Sequence, residues 1–164
     1  MTHRIASGIP RLLFCLAVAP AIANPQDPAT PAQQLQPLLK DLKDLPDAIS
    51  KAQTAEERKP LQARWAELPS RLLELAERYP RDPVAVEALT ETLAHANGSS
   101  YPDTRQDSPG IRALEILRRD HLQSDKLGRA CQLVLFAFHQ RAETFLRAAL
   151  ATSPHSEVQG LACL

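Results

Sequence analysis

The sequence predicts an all-α protein, and three observations carry that expectation. Apolar residues recur at three- and four-residue spacing along most of the chain, which gathers them on one face of a helix. Asp or Ser stands directly before proline at Asp82-Pro83, Ser108-Pro109 and Ser153-Pro154. The first residue of each pair can cap a helix, and proline at the first helical position has no N–H to lose. No segment alternates apolar and polar residues over a length that would build a strand.

The chain opens with what reads as an export signal. Arg4 and Arg11 supply a positive start, Leu12 to Ala19 an apolar stretch, and Ala21-Ile22-Ala23 the small residues of a cleavage site, so residues 1–23 should be removed and the mature chain should begin at Asn24. The stretch falls far short of the roughly 20 apolar residues needed to cross a bilayer as a helix, and nothing later is longer, so no stable membrane insertion is expected after cleavage. Cys15 leaves with the signal, and the bulky Phe14 before it does not suit a lipid-anchor cysteine. The expected location is periplasmic or secreted.

Residues 24–34 carry prolines and no apolar period, which predicts a flexible lead-in. Residues 35–164 are then a single helical domain. Leu35, Leu38, Leu39 and Leu42 mark the first helical face, with Pro46 as its stop and a polar stretch from Asp47 to Lys59. Leu61, Trp65, Leu68, Leu72, Leu75 and Ala76 mark the second, in which Pro69 predicts a kink or a break. Val86, Leu89, Leu93 and Ala96 form a third stripe after Asp82-Pro83, and Ile111, Leu114 and Leu117 a fourth after Ser108-Pro109. Ser124 can cap a helix bearing Leu127, Cys131, Val134, Leu135 and Phe138. After a break near His139 and Gln140 the pattern resumes at Phe145, Leu146, Ala149 and Leu150, and Ser153-Pro154 predicts a last helix carrying Val158, Leu161 and Ala162.

Helices of roughly 10–15 residues with short connections predict antiparallel pairs stacked as an irregular helical-repeat array in the tetratricopeptide or HEAT manner, with a compact helical bundle as the alternative. The proline marks keep no fixed period. Helix-forming residues continue from His155 to Leu164 without a glycine or a basic last turn, which reads as a piece of a longer protein rather than a finished end.

Charge excludes one broad function. Removing residues 1–23 takes away Arg4 and Arg11 but no acid, so the 19 basic and 19 acidic residues of the whole chain become 17 and 19, a formal charge of −2. No basic stripe emerges for nucleic acid to grip; Arg118-Arg119, the densest basic spot, is followed at once by Asp120. Cys131 and Cys163 both lie among apolar residues, so buried free thiols are expected ahead of a structural disulfide, and a redox-active role comes last because no CxxC is present.

No constellation names a reaction. His121, Cys131, His139 and Cys163 offer zinc-ligand chemistry, but their separations match no compact ligand pattern, and no metal or cofactor is expected. His121 reads as a cation in the last turn of a helix and His155 as a neutral residue near a helix start. Glu56-Glu57 and Glu74 with Glu77 read as solvated acids rather than acid–base pairs. The serines lack a nucleophile-elbow context, and Gly98, Gly110 and Gly128 are single turn residues rather than a phosphate loop. Asn97-Gly98-Ser99 is formally a glycosylation acceptor. Of the aromatics, Trp65, Tyr79 and Tyr101 have most potential as contacts; Trp65 should be core, while Tyr101, in the polar loop from Asn97 to Gln106, is the freer to meet a partner.

The run Leu72-Leu73-Glu74-Leu75-Ala76-Glu77-Arg78-Tyr79-Pro80-Arg81-Asp82-Pro83-Val84-Ala85-Val86-Glu87-Ala88-Leu89 resembles a segment of exported planctomycete-type proteins, and the stretches from Ala113 to Gly128 and from Ser153 to Leu164 are similar to the same group. In that family a helical region of this kind precedes a thioredoxin-like domain of the redoxin and thiol-specific antioxidant type. The resemblance implies that the catalytic cysteine motif would lie beyond Leu164, and it assigns no catalytic, cofactor or metal residue to this chain. Two functions are therefore expected in turn: a non-catalytic exported scaffold or protein-interaction domain, whose partner is another protein or a missing C-terminal domain, or the accessory N-terminal region of a thiol–disulfide oxidoreductase or peroxidase-like enzyme.

Overall fold

The computed structural model describes residues 29–97, 108–135 and 140–163; the expected export signal at residues 1–23, Tyr101, Phe138 and His139 lie outside them. The described residues form seven α-helices, α1 (Pro31–Lys51), α2 (Ala55–Arg78), α3 (Pro83–Asn97), α4 (Pro109–Asp120), α5 (Gly128–Val134), α6 (Gln140–Thr152) and α7 (Ser156–Ala162), with a 3-10 turn at Asp125–Leu127. The protein is all-α, as its periodicity requires.

The first two helices are longer than expected because their caps outweigh their prolines. Thr30 accepts from the Gln33 N–H at 3.3 Å while the Gln33 side chain accepts from the Thr30 N–H at 2.8 Å, so α1 starts at Pro31, inside the stretch expected to be a flexible lead-in. Thr54 and Glu57 close the same reciprocal box over the start of α2, inside the stretch expected to be polar linker. Each box satisfies two end groups that would otherwise lack partners. Neither Pro46 nor Pro69 ends its helix.

An interior proline forfeits one i→i−4 hydrogen bond and costs about 3 kcal/mol in a helix. Pro37, Pro46 and Pro60 lie on exposed faces, where water can reach the backbone around them. Pro69 is buried, and the carbonyl it deprives of a partner is that of Trp65.

Core formation follows the apolar stripes. Leu35, Leu38 and Leu45 of α1 meet Leu68, Leu72, Leu75 and Ala76 of α2, and both sets continue into one buried cluster with Val86 and Leu89 of α3, Leu114 and Leu117 of α4, Cys131 and Val134 of α5, Phe145 of α6 and Val158 of α7. α3 is the hub, packing against α1, α2, α4 and α5. Its two buried hydroxyls are satisfied locally: Thr90 donates to the Val86 carbonyl at 2.7 Å and Thr92 to the Ala88 carbonyl at 2.9 Å.

Packing is sequential from α1 to α4 and then interleaves, with α4 against α6 and α5 against α7. Gly128 permits the second of these approaches, since a Cβ there would lie 3.0 Å from Leu161 Cδ1. Ser108 caps α4 through the Ile111 N–H and Asp82 accepts from the Val84 N–H at 2.9 Å, as the proline marks predict. Ser153-Pro154 behaves differently. The Ser153 hydroxyl accepts from the His155 N–H at 3.3 Å and the helix begins only at Ser156, so this pair shapes the turn between α6 and α7 instead of starting a helix.

Candidate functional site

An ion pair with a buried carboxylate ties α1 to α2. Asp41 is 9% exposed, and Arg64 donates to both its oxygens, Nε to Oδ2 at 2.8 Å and Nη2 to Oδ1 at 2.6 Å. This two-toothed geometry sets the register of the helix pair. Gln34 adds a tie to the far end of α2, donating to the Tyr79 hydroxyl at 2.9 Å, so Tyr79 is a structural contact and not a free one.

Trp65 is half-buried rather than core. Its indole packs on the His95 ring with centroids 4.5 Å apart at 40°, bridging α2 and α3. Burial pushes the His95 pKa below its ordinary value; the Trp65 backbone carbonyl, left without a helical donor by Pro69, acts more weakly in the opposite direction. His95 Nε2 is buried and has no partner. Burial thus disfavours the charged imidazole.

His121 corrects its expected role in the same way. It follows α4 at the C-terminal end, where the helix dipole favours a cation, but it is 8% exposed and its Nε2 also lacks a partner. Desolvation lowers its pKa and outweighs the attraction of Asp120. His155 sits at the N-cap of α7 without capping it; its Nε2 lies 3.1 Å from the Gln123 carbonyl. A carbonyl only accepts, so that nitrogen carries the hydrogen.

The cysteines part company. Cys131 is fully buried and its thiol is pushed up to about 11 by desolvation, far from a reactive thiolate. Cys163 is exposed rather than buried: Val158 and Ala162 take the core face of α7, and Cys163 follows them round to the outside. Both thiols are free. Among the described residues no three His, Cys, Asp or Glu side chains gather as a metal-binding group, and no helix is long and apolar enough to cross a membrane.

Charged chemistry concentrates along the outer face of α4. A groove of about 470 Å³ separates α4 from the end of α2, lined by Glu77, Pro80, Arg112 and Arg119 with Ala76 and Ile116 at its apolar side. A second, of about 210 Å³, lies between α4 and α6 beside Arg141 and Thr144. Glu115 and Arg118 line both. Arg112 pairs with Glu77, Arg141 with Glu115 at 3.5 Å, and Arg119 with Asp120 through two hydrogen bonds of 2.8 and 2.7 Å. Arg119 and Asp120 shift each other in the expected senses, the guanidinium up and the carboxyl down. Glu77 is thus not a free solvated acid but half of an ion pair joining α2 to α4.

No protein-family model matches the chain, and no curated protein or solved structure is significantly similar to it. Kinship therefore assigns none of these residues a role, and the local geometry is what a functional reading rests on. The two capping boxes, Thr30 with Gln33 and Thr54 with Glu57, were legible as Thr-x-x-Gln and Thr-x-x-Glu ahead of apolar periods. The grooves beside α4 had no comparable signal, because together their charges come from three separate helices.

Proposed function

We propose that this chain is a non-catalytic, exported helical scaffold that presents a preformed surface to a protein partner, and that its helices stack as an irregular repeat array from α1 to α4. The observation that carries the reading is the grooved outer face of α4. It is built on a continuous core, two of its ion pairs, Glu77–Arg112 and Glu115–Arg141, cross helix boundaries, and α1 and α2 are pinned to one another by Asp41–Arg64. A surface so braced loses little freedom on docking, which favours binding by rigid complementarity. Thiol chemistry finds little support in these helices, since the buried thiol is raised and the exposed one has no neighbouring thiol partner.

The test is site-specific photo-crosslinking in the producing cell, with the photoreactive residue placed in turn at Arg112, Glu115 and Lys43. A discrete adduct with an exported protein from one face, on a chain whose N-terminus is Asn24, is the expected result. Reduction of insulin disulfides by the purified protein, lost in a Cys131→Ser, Cys163→Ser double variant, would overturn the scaffold reading in favour of the oxidoreductase one.

A further inference from the structure

The two grooves beside α4 contain four guanidinium groups, Arg112, Arg118, Arg119 and Arg141, and three carboxylates, Glu77, Glu115 and Asp120. Each carboxylate is committed to one arginine, Glu77 to Arg112, Glu115 to Arg141 and Asp120 to Arg119. Arg118 is the remainder. Among the described residues it has no ion-pair partner, and it stands on the ridge between the grooves and lines both of them. A cation at this position also complements the C-terminal end of the α4 dipole, but that interaction leaves the planar face of the guanidinium open to solvent.

We propose that Arg118 anchors a carboxylate side chain of an acidic peptide segment of the partner, which lies along α4 with its apolar residues in the larger groove. The inference rests on the scaffold reading and specifies its site and its partner chemistry. Charge complementarity selects the anion, because a basic segment would have to displace one of three existing pairs to reach a carboxylate. The groove's dimensions and the accessible apolar surface of Pro80 and Ile116 select a chain with small apolar neighbours over a free inorganic ion. A guanidinium offers parallel donors that match a carboxylate in two-toothed geometry.

The test uses the purified protein, arginine Nε–Hε nuclear magnetic resonance signals, and two pools of blocked pentapeptides: one with a central glutamate between apolar residues, the other identical but with glutamine. The Arg118 signal, assigned by its disappearance in Arg118→Gln, shifts with the glutamate pool and not with the glutamine pool. Affinity for the glutamate pool falls roughly three- to tenfold in that variant, as for a partly exposed ion pair. Arg81→Gln, an exposed arginine outside both grooves, leaves it unchanged.

Equal responses to both pools, undiminished binding in Arg118→Gln, or a full shift with acetate alone at the same concentration each overturn the proposal. The last would mean that the groove collects an anion and not a segment. A glutamate-dependent response confined to α1 or the start of α2 also overturns it while leaving the scaffold reading in place; that reading fails if photo-crosslinking yields no partner from any face or if the purified protein shows cysteine-dependent insulin reduction.

Discussion

Leu89→Ala tests the core at its hub. Leu89 is 0% exposed at the middle of α3, the helix that packs on α1, α2, α4 and α5. The substitution removes three carbon groups worth about 0.8 kcal/mol each in transfer, or about 2.4 kcal/mol. A residual cavity adds to this in proportion to its volume. With α3 held from four sides the surroundings have little room to collapse, so about 1 kcal/mol more is expected and the whole comes to about 3–4 kcal/mol. Urea unfolding followed by far-ultraviolet circular dichroism reads this directly. With a slope of about 2 kcal/mol per molar, the midpoint drops by about 1.5–2 M at unchanged slope. Leu150→Ala is the internal comparison: Leu150, on α6, is 39% exposed, and its truncation costs under about 1 kcal/mol. A Leu89→Ala loss below about 1 kcal/mol, or one no larger than that of Leu150→Ala, would refute the placement of α3 at the centre.

Arg64→Ala strands the Asp41 carboxylate, which is only 12% exposed at its side chain, and destabilises by about 1–3 kcal/mol; a double-mutant cycle with Asp41→Asn recovers part of that loss if the pair is the cause. His95 and His121 both have folded pKa values below their ordinary 6.5, so the unfolded chain binds more protons as pH falls through 6.5. Stability is accordingly full above that value and declines below it until the folded values are passed, and His95→Gln with His121→Gln flattens the decline measured by urea midpoints across that range. A thiol-reactive chromogen modifies Cys163 quickly in the native protein and Cys131 only after denaturation; fast labelling that persists in mature Cys163→Ser would mean that Cys131 is accessible.

Much of the fold was legible without coordinates. Stripes such as Leu68, Leu72 and Leu75 or Leu114 and Leu117 identify helices because a helix returns to the same face every three or four residues, whatever surrounds it. Asp82 and Ser108 could be assigned as caps because the hydrogen bond they accept is local, two or three residues away. Boundaries failed where two local rules competed. Prolines argued for an end at Pro46 and a kink or a break at Pro69, whereas both helices continue past them because capping and burial of whole apolar faces exceed the loss of single hydrogen bonds. Ser153-Pro154 failed for a related reason: its hydroxyl has a nearer use in the turn.

What sequence by itself determined, then, was what depends on spacing along the chain: helical class, the apolar faces and the helix starts at Pro83 and Pro109. Tertiary structure alone decided how those faces combine, with α4 on α6 and α5 on α7, and which charges find each other, since Glu77 and Arg112 or Asp41 and Arg64 meet across separations no local period encodes. It also decided protonation. His121 stands where the dipole of its own helix would favour a cation, yet burial against neighbouring elements pushes its pKa down, because the cost of removing a charge from water depends on everything packed around it and not on the residues beside it in the chain.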